Sequence, residues 1–158
     1  MAERKGYALN DGDGERIWFA GSLVVLKALG EQTEGRLAAM DQKLPPGYTS
    51  PLHRHNDDDE AWYVLEGDAT FFCGDDRFVG AAGAWVYLPK LVPHAFRVGA
   101  RGARLLTLST PAGFADFVKA AGEPAPALEL PPAEPLDIAR LAETAQRFGI
   151  ELLGPAPD

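Results

Sequence analysis

Gly47-Tyr-Thr-Ser-Pro-Leu-His53-Arg-His55-Asn-Asp-Asp-Asp-Glu60 is the most informative segment of this chain and contains two of its 3 histidines. Side chains of an extended strand alternate between its two faces, so His53 and His55 are predicted to project from the same side. Two neutral imidazoles on one face are the beginning of a chelate for a divalent transition metal.

The carboxylate of Glu60 is the next candidate ligand. It follows His55 at an odd offset, which a single straight strand cannot place on the same face. The residues between them, 56–59, form a turn-forming run because Asn and Asp side chains bond to their own backbone. We expect this turn to return Glu60 on an adjacent strand, facing both histidines. Asp57, Asp58 and Asp59 are predicted to form a solvated turn and not to be ligands.

The third histidine ends a second segment, Gly83-Ala-Trp-Val-Tyr-Leu-Pro89-Lys-Leu-Val-Pro-His94. A lone histidine is more often a surface or hydrogen-bonded core residue than a ligand, but three histidines with a carboxylate favour a metal site. We predict that one divalent metal per chain (Fe, Ni, Co, Mn, Cu or Zn) is held by His53, His55, Glu60 and His94. Four protein ligands leave a coordination position open, as in catalytic sites.

The two segments resemble the paired motifs of the cupin superfamily. The first motif is Gly, five residues, His-x-His, three or four residues, Glu, six residues, Gly. It is met by Gly47, His53, His55, Glu60 and Gly67 without a departure.

The second cupin motif is met at its ligand position but departs at two others. Gly83, Pro89 and His94 match, while Leu91 and Val98 stand where the motif has glycine and asparagine. Neither departure removes a ligand. Both concern the backbone around His94.

The resemblance implies an all-β fold, a double-stranded β-helix or jelly-roll barrel, followed here by two short C-terminal helices. A looser likeness, around Ile17-Trp18-Phe19 and Pro111-Ala-Gly-Phe114, is to the small single-domain cupins similar to quercetin 2,3-dioxygenase. Turn signals predict hairpins at Gly67-Asp68 and Gly74-Asp75-Asp76. The predicted strands are 16–20, 23–28, 36–43, 51–55, 60–66, 69–73, 77–79, 85–88, 94–98 and 104–110.

The C-terminal third differs in character from the barrel. Apolar residues from Phe114 to Ala121 recur at helical spacing before Gly122, which predicts a short amphipathic helix. A proline-rich extended connector (124–135) and a second helix (136–148) follow. We therefore expect one domain, with a barrel over residues 1–110 and a helical segment over residues 111–158 that packs on it or on a partner.

Strand alternation also predicts the wall beside the metal. Trp62 and Val64 share the face of Glu60, and Phe96 shares the face of His94, so these three are expected to line an apolar substrate pocket. The alternative is that they belong only to the core.

The resemblance leaves three functions open. The first is a metal-dependent oxidoreductase, a quercetinase-like dioxygenase acting on a small phenolic or enolic compound, with Glu60 as the catalytic base. The second is a metal-dependent isomerase, lyase or polyketide cyclase in which the metal acts as a Lewis acid. The third is a non-catalytic, metal-containing small-molecule-binding protein.

Composition and charge limit the partners and the cellular location that we expect for this chain. A net charge of −8 makes nucleic acid and anionic membrane surfaces poor partners. There is no apolar run long enough for a membrane span, and Met1-Ala-Glu-Arg-Lys-Gly6 lacks the apolar stretch of a secretory signal. A single cysteine, Cys73, in an apolar run predicts a packed core thiol and a cytoplasmic protein. Because homodimers are common among proteins of this resemblance, a homodimer is expected.

Overall fold

The computed structural model describes residues 5–158 and confirms an antiparallel, mainly β fold. The first four residues, which belong to the predicted signal-free N-terminus, lie outside the described part. The helices are α1 (Gly30–Thr33), α2 (Gly113–Ala121) and α3 (Ile138–Gln146). The strands are β1 (Arg16–Phe19), β2 (Ser22–Ala28), β3 (Ala38–Leu44), β4 (Leu52–His55), β5 (Asp59–Cys73), β6 (Asp76–Ala81), β7 (Trp85–Leu88), β8 (His94–Thr110), β9 (Glu123–Pro124) and β10 (Ile150–Gly154).

Two long strands, β5 and β8, replace four of the predicted short ones. The hairpin predicted at Gly67-Asp68 is wrong, because β5 continues through this point with only an irregular register. Gly67 has a left-handed backbone (φ 74°), and a Cβ there would overlap the carbonyl oxygen of Gly102 on β8. A bulge with this close backbone approach bends a strand without ending it. The second predicted hairpin, at Gly74, is confirmed between β5 and β6.

The strand register divides the barrel into two layers that share β5 and β8. In the histidine layer, the first half of β8 lies between β4 and the end of β5, and His53 is paired with His94. In the glutamate layer, the first half of β5 lies between β7 and the second half of β8. Here Glu60 is paired with Leu88 and with Ser109. Strands β3, β2, β1 and β9 extend the glutamate layer.

Two buried apolar clusters fill the molecule. The barrel core lies inside β5–β8, and the seam core lies where α2, α3 and β10 cover the barrel. The barrel core contains Leu44, Trp62, Val64, Ala69, Phe71, Val86, Leu88, Phe96, Val98, Ala103 and Leu105. The seam core contains Ile17, Phe19, Val24, Leu26, Ala38, Met40, Ala112, Phe114, Ala115, Phe117, Val118, Ala145 and Ile150.

The C-terminal segment packs on its own barrel. Helix α3 is two residues shorter at each end than predicted, and it begins where the Asp137 side chain accepts a hydrogen bond from the Arg140 N–H at 3.0 Å. The strand that follows, β10, was not predicted, and it pairs with β4 so that Ile150 lies opposite His55 and Leu152 opposite His53. The tail therefore contributes a wall directly beside the histidine strand.

Among the described residues, none of the helices has the length and apolar character that a membrane crossing requires.

Candidate metal centre

The four predicted ligands converge inside the barrel. One nitrogen from each of His53, His55 and His94 and one oxygen of Glu60 lie within 4.8 Å of one another. His55, His94 and Glu60 are almost fully buried, and His53 is half-buried. The three imidazole rings are 4.4–5.3 Å apart between centroids.

Glu60 reaches this cluster by a route different from the predicted one. It was expected on the strand adjacent to β4, but the neighbours of β4 are β8 and β10. Because the first half of β8 already occupies the position beside His53, β5 crosses to the glutamate layer, and Glu60 faces the histidines across the barrel interior. The cluster therefore joins the two layers, which fixes the ligands from opposite sides.

Each imidazole is oriented by a hydrogen bond at Nδ1. The acceptors are the carbonyl oxygen of Pro51 for His53 (2.8 Å), the carboxylate of Asp58 for His55 (3.0 Å) and the carbonyl oxygen of Val92 for His94 (3.0 Å). A donor at Nδ1 leaves Nε2 as the atom with the free lone pair. Acceptors behind metal-bound histidines set this tautomer and raise ligand basicity.

The inward-facing atoms of these side chains, the histidine Nε2 atoms and the Glu60 carboxylate, form a site that favours a bound cation. The Glu60 carboxylate lies 3.1 Å from Nε2 of His94 and 3.4 Å from Nε2 of His55. Nε2 of His55 is buried and has no hydrogen-bond partner. Lone pairs facing a carboxylate at this distance repel one another unless a proton or a metal lies between them. The donor set fits a divalent transition metal.

The pKa values of these groups agree with that reading. Burial, with the neighbouring His94 and His55, lowers the pKa of His53 to about 3, so His53 is a neutral ligand at pH 7. Burial would raise the pKa of Glu60, but His55 and His94 outweigh it and lower the pKa to about 2. Burial would likewise lower the pKa of His55, but Glu60 and Asp58 raise it instead. Positive charge is thus stabilised at the centre of the cluster.

A narrow cavity opens beside His53 and Glu60, where the barrel core meets the seam core. Measured as space open to the centre of a water molecule, its volume is about 60 Å³. Trp62 and Phe96 line it, as predicted from strand alternation. The remaining lining residues are Phe19, Ala20, Gln42, Tyr48, Ser50, Pro51, Phe114, Phe117, Leu141, Ile150 and Leu152.

Val64, the third predicted pocket residue, does not line this cavity. It is fully buried in the barrel core. It points inward like Glu60 and Trp62, but four residues along a strand carry it roughly 13 Å away from Glu60. Val64 therefore points to the same side of β5 as Glu60, as predicted, but it lies too far along the strand to reach the cavity.

Comparison with known proteins identifies the fold. A family model described as a cupin domain matches residues 40–109. The chain carries a cupin domain. This segment includes all four converging residues and the cores around them.

A curated relative matches over a larger part of the chain. Quercetin 2,3-dioxygenase of Bacillus subtilis (strain 168) is 28% identical over 156 residues, which cover 98% of this chain and 46% of the relative. The chain thus spans about half the length of this curated relative.

Two solved structures share the fold at lower identity. KdgF from Halomonas sp. has a TM-score of 0.59 and 17% identity, covering 68% of this chain and 94% of that one. Oxalate decarboxylase from Bacillus subtilis has a TM-score of 0.56 and 21% identity, covering 76% of this chain and 33% of that one.

The two departures from the second cupin motif have different structural outcomes. Leu91, where the motif has glycine, keeps the left-handed backbone that glycine favours (φ 68°). Its N–H donates to the His55 carbonyl oxygen at 2.8 Å, so the turn before His94 is fastened to the first histidine strand. Val98, where the motif has asparagine, is buried in the barrel core. Neither change displaces a candidate ligand.

The acidic turn between His55 and Glu60 is more structured than predicted. Asp58 was expected in a solvated turn, but it is buried and accepts the hydrogen bond from His55. Asp59 accepts a hydrogen bond from the Lys90 N–H at 2.8 Å, which ties the turn to the second motif. The sequence carried a usable signal for Asp58, because a carboxylate three residues after a ligand histidine is within reach of its outer nitrogen.

Several lining residues were missed, and most of them lie far from the two motifs in sequence. The Phe114 ring lies tilted against that of His55 with centroids 5.3 Å apart, and Leu141, Ile150 and Leu152 come from the C-terminal segment. Tyr48 stacks on Phe96 with centroids 5.7 Å apart. Burial raises the pKa of Tyr48.

Proposed function

We propose that this cupin is a metal-dependent oxygenase, a quercetinase-like dioxygenase that acts on a small phenolic or enolic compound. The observation that carries the proposal is the three-histidine, one-glutamate cluster opening onto an apolar, aromatic-lined cavity. Its 28% identity to a quercetin 2,3-dioxygenase, over about half of that protein, supports the same chemistry.

In this proposal His53, His55, His94 and Glu60 hold one divalent metal, which is Fe, Ni, Co, Mn, Cu or Zn. When bound, a redox-active metal of this group supplies an open position and mediates the reaction of substrate with dioxygen. The Nδ1 acceptors Pro51 and Asp58 hold their imidazoles in place.

Glu60 is the proposed catalytic base. Its pKa of about 2 keeps it ionised at neutral pH, and it lines the cavity in which a substrate hydroxyl would lie. A carboxylate within hydrogen-bond reach takes the proton from a phenol or enol and leaves the more electron-rich anion. Such a low pKa makes Glu60 a weak base in isolation, so the transfer needs a substrate acidified at the same site.

Cavity size sets the substrate class in this proposal. The walls are apolar and exclude water from the reacting atoms. Drug-sized ligand sites measure roughly 300–1,000 Å³, so the 60 Å³ beside Glu60 admits only the reacting end of such a molecule. Trp62 and Phe96 are proposed to contact that end, whereas Val64 is not.

Oxygen uptake tests the proposal. The protein is loaded anaerobically with each candidate metal, and oxygen consumption is recorded with flavonols, catechols and small enols. We expect uptake with at least one substrate and its loss in Glu60→Gln. No uptake with any metal and substrate pair would overturn the oxygenase assignment.

A second candidate function rests on Tyr48. Tyr48 and Glu60 line the same cavity. A phenol and a carboxylate in one cavity offer a proton donor and an acceptor to an enolate without any need for oxygen. This favours the alternative of a metal-dependent isomerase, lyase or polyketide cyclase. Turnover that persists under strict anaerobiosis, and falls in Tyr48→Phe, would favour it over the oxygenase. A non-catalytic binding role predicts tight ligand binding without turnover under either condition.

We also propose a homodimer. Trp85 and Tyr63 are cross-strand partners on β7 and β5, and both are exposed, as is Tyr87 two residues further along β7. In the described part of the chain β7 pairs only with β5, so an aromatic band borders a free strand edge. Light scattering tests this: Trp85→Ser should produce monomers, whereas Val79→Ser, at an exposed position on β6, should not.

The chain is proposed to work in the cytoplasm. Cys73 is a free, half-buried thiol that packs against the barrel core, and burial together with Asp76 raises its pKa. A thiol that resists ionisation is a poor nucleophile and a poor metal ligand. Fractionation of the native host checks the location.

A further inference from the structure

A second apolar space lies directly outside the wall of the metal-site cavity. We name it the outer groove, and its volume, on the same measure as the inner cavity, is about 530 Å³. It lies between α3, β10 and the loop before β4, and none of its lining residues is charged. They are Thr49, Ser50, Pro51, Leu136, Ile138, Ala142, Leu152, Gly154, Pro155 and Ala156.

The inner cavity and the outer groove share a wall one residue thick. Ser50, Pro51 and Leu152 line both spaces. Leu152 is the cross-strand partner of His53, and paired residues on neighbouring strands point to the same side, with Cβ atoms roughly 5 Å apart. The path from the metal site to the groove therefore passes the Leu152 side chain.

The other side of α3 is less suited to an apolar ligand. The space there is lined by Asp137 and Arg140 together with Leu141 and Thr144, and its volume is about 150 Å³. An apolar chain in contact with an aspartate and an arginine would desolvate charged groups. The outer groove offers more space without that cost.

We infer that the outer groove is a subsite for the apolar arm, alkyl or aryl, of the ligand whose polar head lies beside His53 and Glu60. The inference rests on the proposed function only for the chemistry of the head. The small inner cavity forces a larger ligand to extend outward, and the groove is the uncharged space on the other side of the shared wall. The substrate class is thus an enol or phenol carrying an apolar substituent.

A series of straight-chain hydroxamic acids tests this inference, because the hydroxamate head binds divalent metals and only the chain length varies. Calorimetric titration of the metal-loaded protein should show affinity rising about 4-fold per methylene from butano- to octanohydroxamate, which is about 250-fold over the whole series. The metal-free protein should bind every member more weakly but keep the increments.

Two substitutions in α3 test whether the gain in affinity with chain length comes from the outer groove. Ala142→Phe fills the groove and Ile138→Asp charges it, and each should reduce the total gain to under about 5-fold. The matched controls Ala139→Phe and Ala139→Asp change an exposed position on the same helix that does not line the groove, and they should keep the full gain.

A flat series in the wild type, or an equal loss in the Ala139 controls, would overturn the inference. A flat series together with a dimer that Ile138→Asp dissociates would assign the groove to a second copy of the chain, which also overturns it. Oxygen uptake with a flat series contradicts the subsite alone. Retained increments without oxygen uptake contradict the oxygenase alone.

Discussion

The barrel core and the seam core are built from different elements: β5, β7 and β8 supply most of the barrel core, whereas β1, β2, α2, α3 and β10 supply most of the seam core. Inward-facing residues of β5 alternate from Glu60 through Trp62 to Val64, but only the first two reach the cavity. Further along, Val64 and Phe71 close the barrel with packed apolar side chains. At the other end the barrel stays open, and α2, α3 and β10 cover it from outside. One end thus stabilises the fold while the other holds the candidate site.

The largest expected effect is at the ligands, on the open side of this comparison. Replacing His94 or His55 by alanine should abolish stoichiometric metal binding, because the Nε2 of each faces Glu60 inside the barrel. Elemental analysis of the purified variants should fall from near one metal per chain to near zero. A control in the barrel core, Val86→Ala, should retain the metal. Normal metal content in both histidine variants would show that the metal is not bound by this cluster.

Substitutions in the barrel core, at the closed end, should lower the free energy of unfolding more than substitutions beside the cavity. Phe71→Ala removes a fully buried ring from the barrel core and should lower the free energy of unfolding by about 3–5 kcal/mol. Phe114→Ala borders an existing cavity and should cost less, because part of its surroundings is already empty. Urea unfolding of both variants measures the difference. Equal losses, or a larger loss for Phe114, would contradict the division of roles.

The hydrogen bond that His55 donates to Asp58 should strengthen metal binding without being essential for it. Asp58→Asn weakens the acceptor at Nδ1 and should reduce metal affinity about 10–100-fold, as for other partners of metal-bound histidines. Competition with a chelator measures the affinity. Asp57→Asn in the same turn, at an exposed position, is the matched control and should have little effect. The account is weakened if both variants behave alike.

Acid should destabilise the metal-free protein because His53 and Glu60, at the open end of the barrel, have lowered pKa values. The pKa of His53 is about 3 when folded and 6.5 ordinarily, so its contribution to stability is present above pH 6.5 and is lost as pH falls toward 3. The contribution of Glu60 is lost from about pH 4.5 to about pH 2. The contribution of His55, whose pKa is raised, is lost as pH rises above 6.5, so His55 adds little slope well below pH 6.5. Urea unfolding between pH 6.5 and 4.5 should show a positive slope that His53→Gln reduces; an unchanged slope would contradict this assignment.

The smallest effect concerns the turn at Leu91. A left-handed backbone costs a non-glycine residue about 1–2 kcal/mol, while glycine loses about 0.5–1 kcal/mol of conformational entropy on folding. Leu91→Gly should therefore raise the free energy of unfolding by about 0.5–1 kcal/mol. Leu91→Ala keeps the backbone strain and should give no gain. Destabilisation by Leu91→Gly would show that the exposed leucine side chain matters more than the backbone.

The sequence was sufficient for the parts of the site that depend on local spacing. His53 and His55 share a face because strands alternate, and the motif register identified Glu60 and His94. It was insufficient where distant segments meet. Nothing near Leu152 indicates that β10 will pair with β4, since its apolar residues also fit a loop or helix end. Gly67 appears as a turn in the sequence, and only its contact with Gly102 shows that the strand continues.

The central claim is that one divalent metal lies between the two layers, held by Nε2 of the three histidines and by Glu60. Anomalous X-ray diffraction from crystals of the metal-loaded protein tests it most directly. The account predicts one strong peak bonded to His53, His55, His94 and the Glu60 carboxylate, with the Nδ1 hydrogen bonds retained. A peak elsewhere, coordination through Nδ1, or crystals of metal-soaked protein without a peak at this position would contradict it.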